Sequence, residues 1–126
     1  MTLSTIVLLV LALYALQIVL QETTRYRFNL WMIMGNRDHA PKMSLLAGRL
    51  DRAKTNLQEA LPVFLALVML NLFKTGDAPG VVHGALIFLV ARVIYVPAYL
   101  SGLPVLRSLV LLVANAGLVM MALPLI

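Results

Sequence analysis

Four long apolar stretches, separated by short polar ones, dominate the chain. Leu3 to Leu20 carries no charge, and only Ser4, Thr5 and Gln17 are strongly polar. Its 18 residues reach across a hydrocarbon core about 30 Å thick. No basic stretch precedes it and no small-residue cleavage site follows, so it reads as a span rather than a signal peptide. The same helix is expected to run on through Glu22 to about Trp31 at the membrane surface. Gly35 to Ser44 (GNRDHAPKMS) gathers turn residues and reads as a loop, with Pro41 and Ser44 leading into the next helix.

Leu45 to Phe73 is expected to form one long helix, polar on one side in its first half and almost wholly apolar from Leu61 onward. Pro62 removes one backbone hydrogen bond, so a kink is expected there, which membrane helices tolerate. Lys74 to Gly80 is a tight turn. Val81 to Leu100 is a third span carrying Arg92 and Pro97. Ser101 to Pro104 is a second short turn, and Val105 to Ile126 a fourth span with Arg107 near its start. The apolar runs are continuous rather than alternating, which favours membrane helices over a β-barrel. The pattern predicts an all-α integral membrane protein, a four-transmembrane-helix bundle forming a single domain over residues 1–126, in contact with the lipid bilayer.

Composition supports this reading. Hydrophobic residues make up 62% of the 126 residues and charged residues 12%. A soluble domain is about 45–50% apolar and about 25% charged, so the surplus apolar surface has to face lipid. There is no cysteine, which excludes disulfides, thiolate metal sites and a cysteine nucleophile; any thiol has to arrive with a ligand. His39 and His83 are too few and too far apart for a metal site, and none is expected.

The net charge of +5 is not a nucleic-acid signal, because no basic face with interleaved aromatics accompanies it, and no nucleic-acid partner is expected. Seven of the ten Lys/Arg lie between Arg25 and Lys54, as in a cytoplasmic loop. The third loop adds Arg107, and the opposite side has only Lys74. Both termini are therefore expected outside the cytoplasm. The short loops and lack of tails fit a bacterial inner membrane.

Ionisable groups within a membrane are costly and so are candidates for function. Arg49, Arg52, Asn56 and Glu59 follow one another at spacings of three, four and three, one face of a helix. Arg92, Tyr95 and Tyr99 do the same at three and four. Both sets lie toward the cytoplasmic ends of their helices and could meet in one polar pocket. A packing role is the alternative: Arg52 and Glu59 pairing with neighbouring helices, Arg92 pairing with Glu59 to lock the bundle, and the tyrosines forming an interfacial belt.

At these residues the sequence resembles the MAPEG family, the membrane-associated proteins in eicosanoid and glutathione metabolism. Arg52-Ala53-x-x-Asn56-x-x-Glu59-x-x-Pro62-x-Phe64 is similar to the family's second-helix motif. Arg92-x-x-Tyr95-x-x-x-Tyr99 is similar to its third-helix motif, followed by Arg107-Ser108 at the head of the fourth helix. The order and layout agree over nearly the whole chain. Ala60 stands where one eicosanoid-forming enzyme of the family has a tyrosine, and the spacing from Tyr99 to Arg107 differs by one residue from that of the enzymes.

The resemblance implies a homotrimer with glutathione held between neighbouring subunits at the cytoplasmic side. It implies a transferase or peroxidase reaction on a hydrophobic small-molecule electrophile that partitions from the bilayer. Arg52, Asn56, Glu59, Arg92, Tyr95 and Tyr99 are the implied glutathione residues, with Arg25 or Arg27 as a first-helix arginine of the pocket. Arg107 is similar to the arginine that stabilises the thiolate, and Ser108 matches a serine beside it, a helix cap being its alternative role. The chemistry is coherent. Forked arginines suit the two carboxylates of glutathione, and Glu59 suits its ammonium. A free thiol with a pKa near 8.5 is only a few per cent thiolate at pH 7, and a nearby guanidinium raises that fraction.

Two other classes compete. One is a non-catalytic lipid-binding or scaffold protein of the same fold, which the family also contains. The other is a small four-helix multidrug transporter, which needs a membrane-embedded carboxylate in its first helix; Leu3 to Leu20 has none, and Glu22 sits at the edge.

Overall fold

The computed structural model describes residues 2–25 and 44–126. The surface extension toward Trp31, nearly all of the Gly35–Ser44 loop, Arg27 and the side chain of Arg25 lie outside the described residues. Four α-helices account for almost everything described: α1 (Leu3–Arg25), α2 (Leu45–Lys74), α3 (Pro79–Leu100) and α4 (Pro104–Ala122), the last followed by a 3-10 turn at Leu123–Leu125. Each of the four spans is long and apolar enough to cross a membrane. The protein is an all-helical, multi-pass integral membrane protein.

The helix ends follow from local chemistry. Ser44 caps α2, its hydroxyl accepting from the Ala47 N–H at 3.1 Å. Both α3 and α4 begin on a proline, whose fixed φ suits the first helical position and whose missing N–H is not needed there. This moves the start of the third helix two residues ahead of the expected Val81. Pro124 cannot donate the next helical hydrogen bond, and the fourth helix tightens into a 3-10 turn instead of running to Ile126. Pro62 and Pro97 sit inside α2 and α3 without ending them.

The core is a stripe from each helix. Leu3, Ile6 and Val10 of α1 meet Leu57, Leu61, Phe64 and Val68 of α2 and Val81, Ala85 and Phe88 of α3. Phe64 and Phe88 stack with ring centroids 4.6 Å apart and planes 12° from parallel. The α3–α4 contact is the most extensive of the bundle. It is possible because two glycines face each other: a Cβ on Gly84 would lie 2.7 Å from the Gly117 carbonyl oxygen, and one on Gly117 would lie 2.6 Å from that of Gly84. Without a hydrophobic drive between helices in lipid, such close backbone approach is a main source of association.

Two polar clasps, the first of them buried, hold the end remote from the arginines. The Asn71 side chain donates to the Leu67 carbonyl at 2.8 Å and across to the Met121 carbonyl at 2.9 Å, and accepts from the Thr75 hydroxyl. Asp77 accepts the first backbone N–H of α1, from Leu3, at 3.1 Å. A carboxylate at a helix N-terminus is favoured by the exposed N–H groups and the helix dipole. At the opposite end, α2, α3 and α4 come together around the arginines.

Candidate functional site

The N-terminal half of α2, the C-terminal half of α3 and the first turns of α4 converge at one end of the bundle. Arg52 Nε donates to the Tyr99 hydroxyl at 3.1 Å. Arg92 Nη1 donates to Asn56 Oδ1 at 2.7 Å. The Arg92 guanidinium lies 4.3 Å from the Tyr95 ring centroid, and Arg107 lies 4.8 Å and Arg52 5.8 Å from that of Tyr99. The two tyrosine rings meet edge-on, centroids 5.7 Å apart. The two polar faces expected from spacing, and the arginine at the head of the fourth helix, thus form one cluster.

A further arginine closes its rim. Arg49 donates to the Leu100 carbonyl at 2.9 Å, a carbonyl left without a helical partner at the end of α3. The chain turns there through Gly102 at φ 78°, and a Cβ at that position would lie 2.8 Å from the Arg49 guanidinium. Glycine satisfies both the backbone angle and the space.

The balance of charge at this end is one-sided. Arg49, Arg52, Arg92 and Arg107 bring four guanidiniums, and none of them pairs with a carboxylate among the described residues. The ion pair on this stretch of α2 is Lys54 with Asp51, at 3.2 Å. Glu59 does not pair with Arg92; it lies exposed on the outer face of α2, as does Arg52. The lock once open to Arg92 and Glu59 is replaced by the bond to Asn56, whose amide oxygen is the nearer acceptor. Four like charges held without counter-charge favour any anion that reaches them.

The cluster has an inner and an outer layer. Arg92 is 1% exposed and Tyr95 2%, closed off by the chain's own helices. Asn56, Tyr99 and Arg107 are half-buried, and Arg52, Glu59 and Ser108 are exposed. A molecule arriving from outside one chain meets the outer layer, to which Arg92 is linked by its hydrogen bond to Asn56. Ser108 is not the helix cap, because that position belongs to Leu103. The side chains of Arg25 and Arg27 lie outside the described residues.

Several polar residues carried no functional reading in the sequence. Gln17 and Gln21 are each 2% exposed and extend the buried stripe of α1 into the charged end. Their spacing from Val10, seven and then four residues, places them on the same face, a signal masked by the apolar residues around them. Asn115 stands exposed in the middle of α4, on the same outward stripe as Ser108. Among the described residues no group of three or more His, Asp or Glu is placed to hold a metal ion.

No curated protein and no solved structure matches the chain. One family model does: that of the MAPEG family, over residues 1–126, the whole chain, and so the protein belongs to the MAPEG family.

Proposed function

We propose that this protein is a glutathione-dependent transferase or peroxidase acting on hydrophobic electrophiles, working as a homotrimer with glutathione held at the arginine-rich end between neighbouring subunits. The observation that carries the reading is the group of four guanidiniums at one end of the bundle, three against Tyr95 and Tyr99 and the fourth on the Leu100 carbonyl, with no carboxylate partner among the described residues. Family membership supports it, because the MAPEG proteins are those of eicosanoid and glutathione metabolism. The positive-inside bias favours a cytoplasmic position for this end, where reduced thiols are kept.

Each outer-layer residue suits a part of the tripeptide. Arg52 offers a forked pair of donors to a carboxylate. Glu59 offers a negative charge for an ammonium. Asn56 presents an amide to a peptide group. Bound glutathione supplies a thiol, which this cysteine-free chain lacks. Arg107, in the first turn of α4, adds its own charge to that of the helix N-terminus and favours the deprotonated sulfur. The Tyr99 ring fixes two of the guanidiniums by cation–π contact, so they are held in place before any ligand arrives.

The same residues support an assembly of more than one copy. Glu59 lies fourteen residues beyond Leu45 on a helix of 30 residues, inside the span and exposed on a single chain. A charged side chain facing lipid at depth costs about 2.5–3.5 kcal/mol on insertion scales. A second copy that covers this face, with glutathione between, removes most of that penalty.

Calorimetric titration of glutathione into detergent-purified protein tests the site. Arg52→Ala and Glu59→Gln each remove a charge-assisted contact of about 1.5–3 kcal/mol, so binding should weaken roughly tenfold or more while the assembly persists. Loss of the assembly in these variants, with no glutathione affinity in the wild type, would leave the residues with a packing role alone.

A further inference from the structure

We infer that a single water molecule, sealed among α1, α2 and α3, bridges Arg92 to Gln17, and that Gln17 acts through it as a positioning residue for Asn56. The positioning role rests on the proposed glutathione site; the water does not.

The unsatisfied atoms point to it. Arg92 Nη1 is bonded to Asn56, but Nε and Nη2 are inaccessible and have no hydrogen-bond partner among the described residues. Gln17 Oε1 is in the same condition. Arg92 is 1% exposed and Gln17 2%. Because these atoms are closed off within one chain, neither a neighbouring subunit nor a ligand entering from outside reaches them. A partner for them has to be interior.

The two side chains come from the same depth of adjacent helices. Leu3 at the start of α1 bonds to Asp77 just ahead of α3, and Gln17 lies fourteen residues beyond Leu3 and Arg92 fifteen beyond Asp77. Their neighbours confirm the register: Leu16 and Val93 line one groove between α1 and α3. Gln17 shares the inward stripe of Leu3, Ile6 and Val10, so it faces the junction of the three helices rather than that groove.

The chemistry selects water. Two N–H donors and one amide oxygen acceptor remain. A water accepts from both guanidinium N–H groups with its two lone pairs and donates one hydrogen to Gln17 Oε1, three bonds in all, the usual number for a buried water. An anion would accept from the guanidinium but has nothing to donate to the amide oxygen. A cation is repelled by Arg92.

The consequence reaches the site through Asn56. A guanidinium has only donors, so the Asn56 atom that faces Arg92 is the oxygen. The Asn56 NH2 then points away from Arg92. Arg92, fixed by the water on one side and by Tyr95 on another, holds Asn56 as a donor toward an incoming peptide or carboxylate group. Gln17, on a different helix and out of reach of the ligand, sets that orientation at one remove.

The test has two arms on the intact protein. A ligand-free structure by electron cryomicroscopy, at a resolution that shows ordered waters, should reveal one density within hydrogen-bond distance of Arg92 Nε, Nη2 and Gln17 Oε1. A dry interior, or a direct Arg92–Gln17 bond, overturns the water. In the second arm, glutathione is titrated into Gln17→Leu, which keeps the volume and removes the acceptor, and into Gln17→Glu, which keeps an acceptor for the water at the same reach. Gln17→Leu should raise the glutathione Kd between about twofold and tenfold, and Gln17→Glu should stay near wild type, with the assembly unchanged in both. An unchanged Kd in Gln17→Leu overturns the positioning role. Absence of glutathione binding in the wild type overturns the proposed function and, with it, that role, while the water stands or falls on the first arm.

Discussion

Arg107 occupies the first turn of α4, half-buried, with its guanidinium against the Tyr99 ring. A cation fixed there acts on a sulfur mainly in its deprotonated form, so Arg107→Leu should impair thiol activation more than glutathione binding. Thiolate absorbance near the ultraviolet edge, followed against pH, reads this directly. With wild-type protein the bound thiol should titrate well below the value near 8.5 of a free thiol, and with Arg107→Leu it should move back toward it. If both titrate like free glutathione, the protein does not activate the thiol, and a lipid-binding or scaffold role fits better. At this scale the sequence was informative wherever spacing carried the signal. Arg52, Asn56, Tyr95 and Tyr99 recur at helical intervals, and the structure brings them together. Spacing does not tell which layer a residue occupies. Whether Arg92 turns to Glu59 or to Asn56 depends on how α2 and α3 rotate against each other, which tertiary packing decides.

Between helices, the glycine contact of α3 and α4 makes a sharp demand. A methyl group at Gly84 would meet the Gly117 carbonyl at 2.7 Å and Met120 Cβ at 2.9 Å, so the two helices would have to separate. Gly84→Ala should lower stability by about 1–3 kcal/mol, measured as resistance to unfolding in detergent. Gly80→Ala is the control, since nothing lies within 4 Å of a Cβ there and no comparable loss is expected. An unchanged Gly84→Ala would mean that the helices do not approach this closely. The spans themselves were legible because continuous apolar runs and proline-rich turns mark a membrane bundle. The Gly84–Gly117 register was not, since two glycines 33 residues apart across a turn announce nothing until the helices are packed. Asn71 is similar: its place in a span suggested no role, and only the approach of the α4 C-terminus gives its amide the Met121 carbonyl.

For the whole molecule, the arginine-rich end and the clasped end are the two poles of the bundle, and the bias of positive charge predicts a cytoplasmic side for the first. Single cysteines introduced at Thr2 and Ser101, at opposite poles, should therefore be labelled by an impermeant reagent from opposite sides, Thr2 from outside; the reverse pattern would invert the topology. The fold class was readable from composition and pattern because lipid imposes the same solution on any chain this apolar. The assembly is not written in one chain, but exposed Arg52, Glu59 and Asn115 show that a single bundle leaves polar groups on a surface that would otherwise face lipid. Native mass spectrometry of the protein released from mild detergent, with and without glutathione, bears on the central claim most directly. A threefold assembly that gains mass in increments of glutathione is expected, with those increments lost in Arg52→Ala. A persistent monomer, or a trimer that takes up no glutathione, would contradict it.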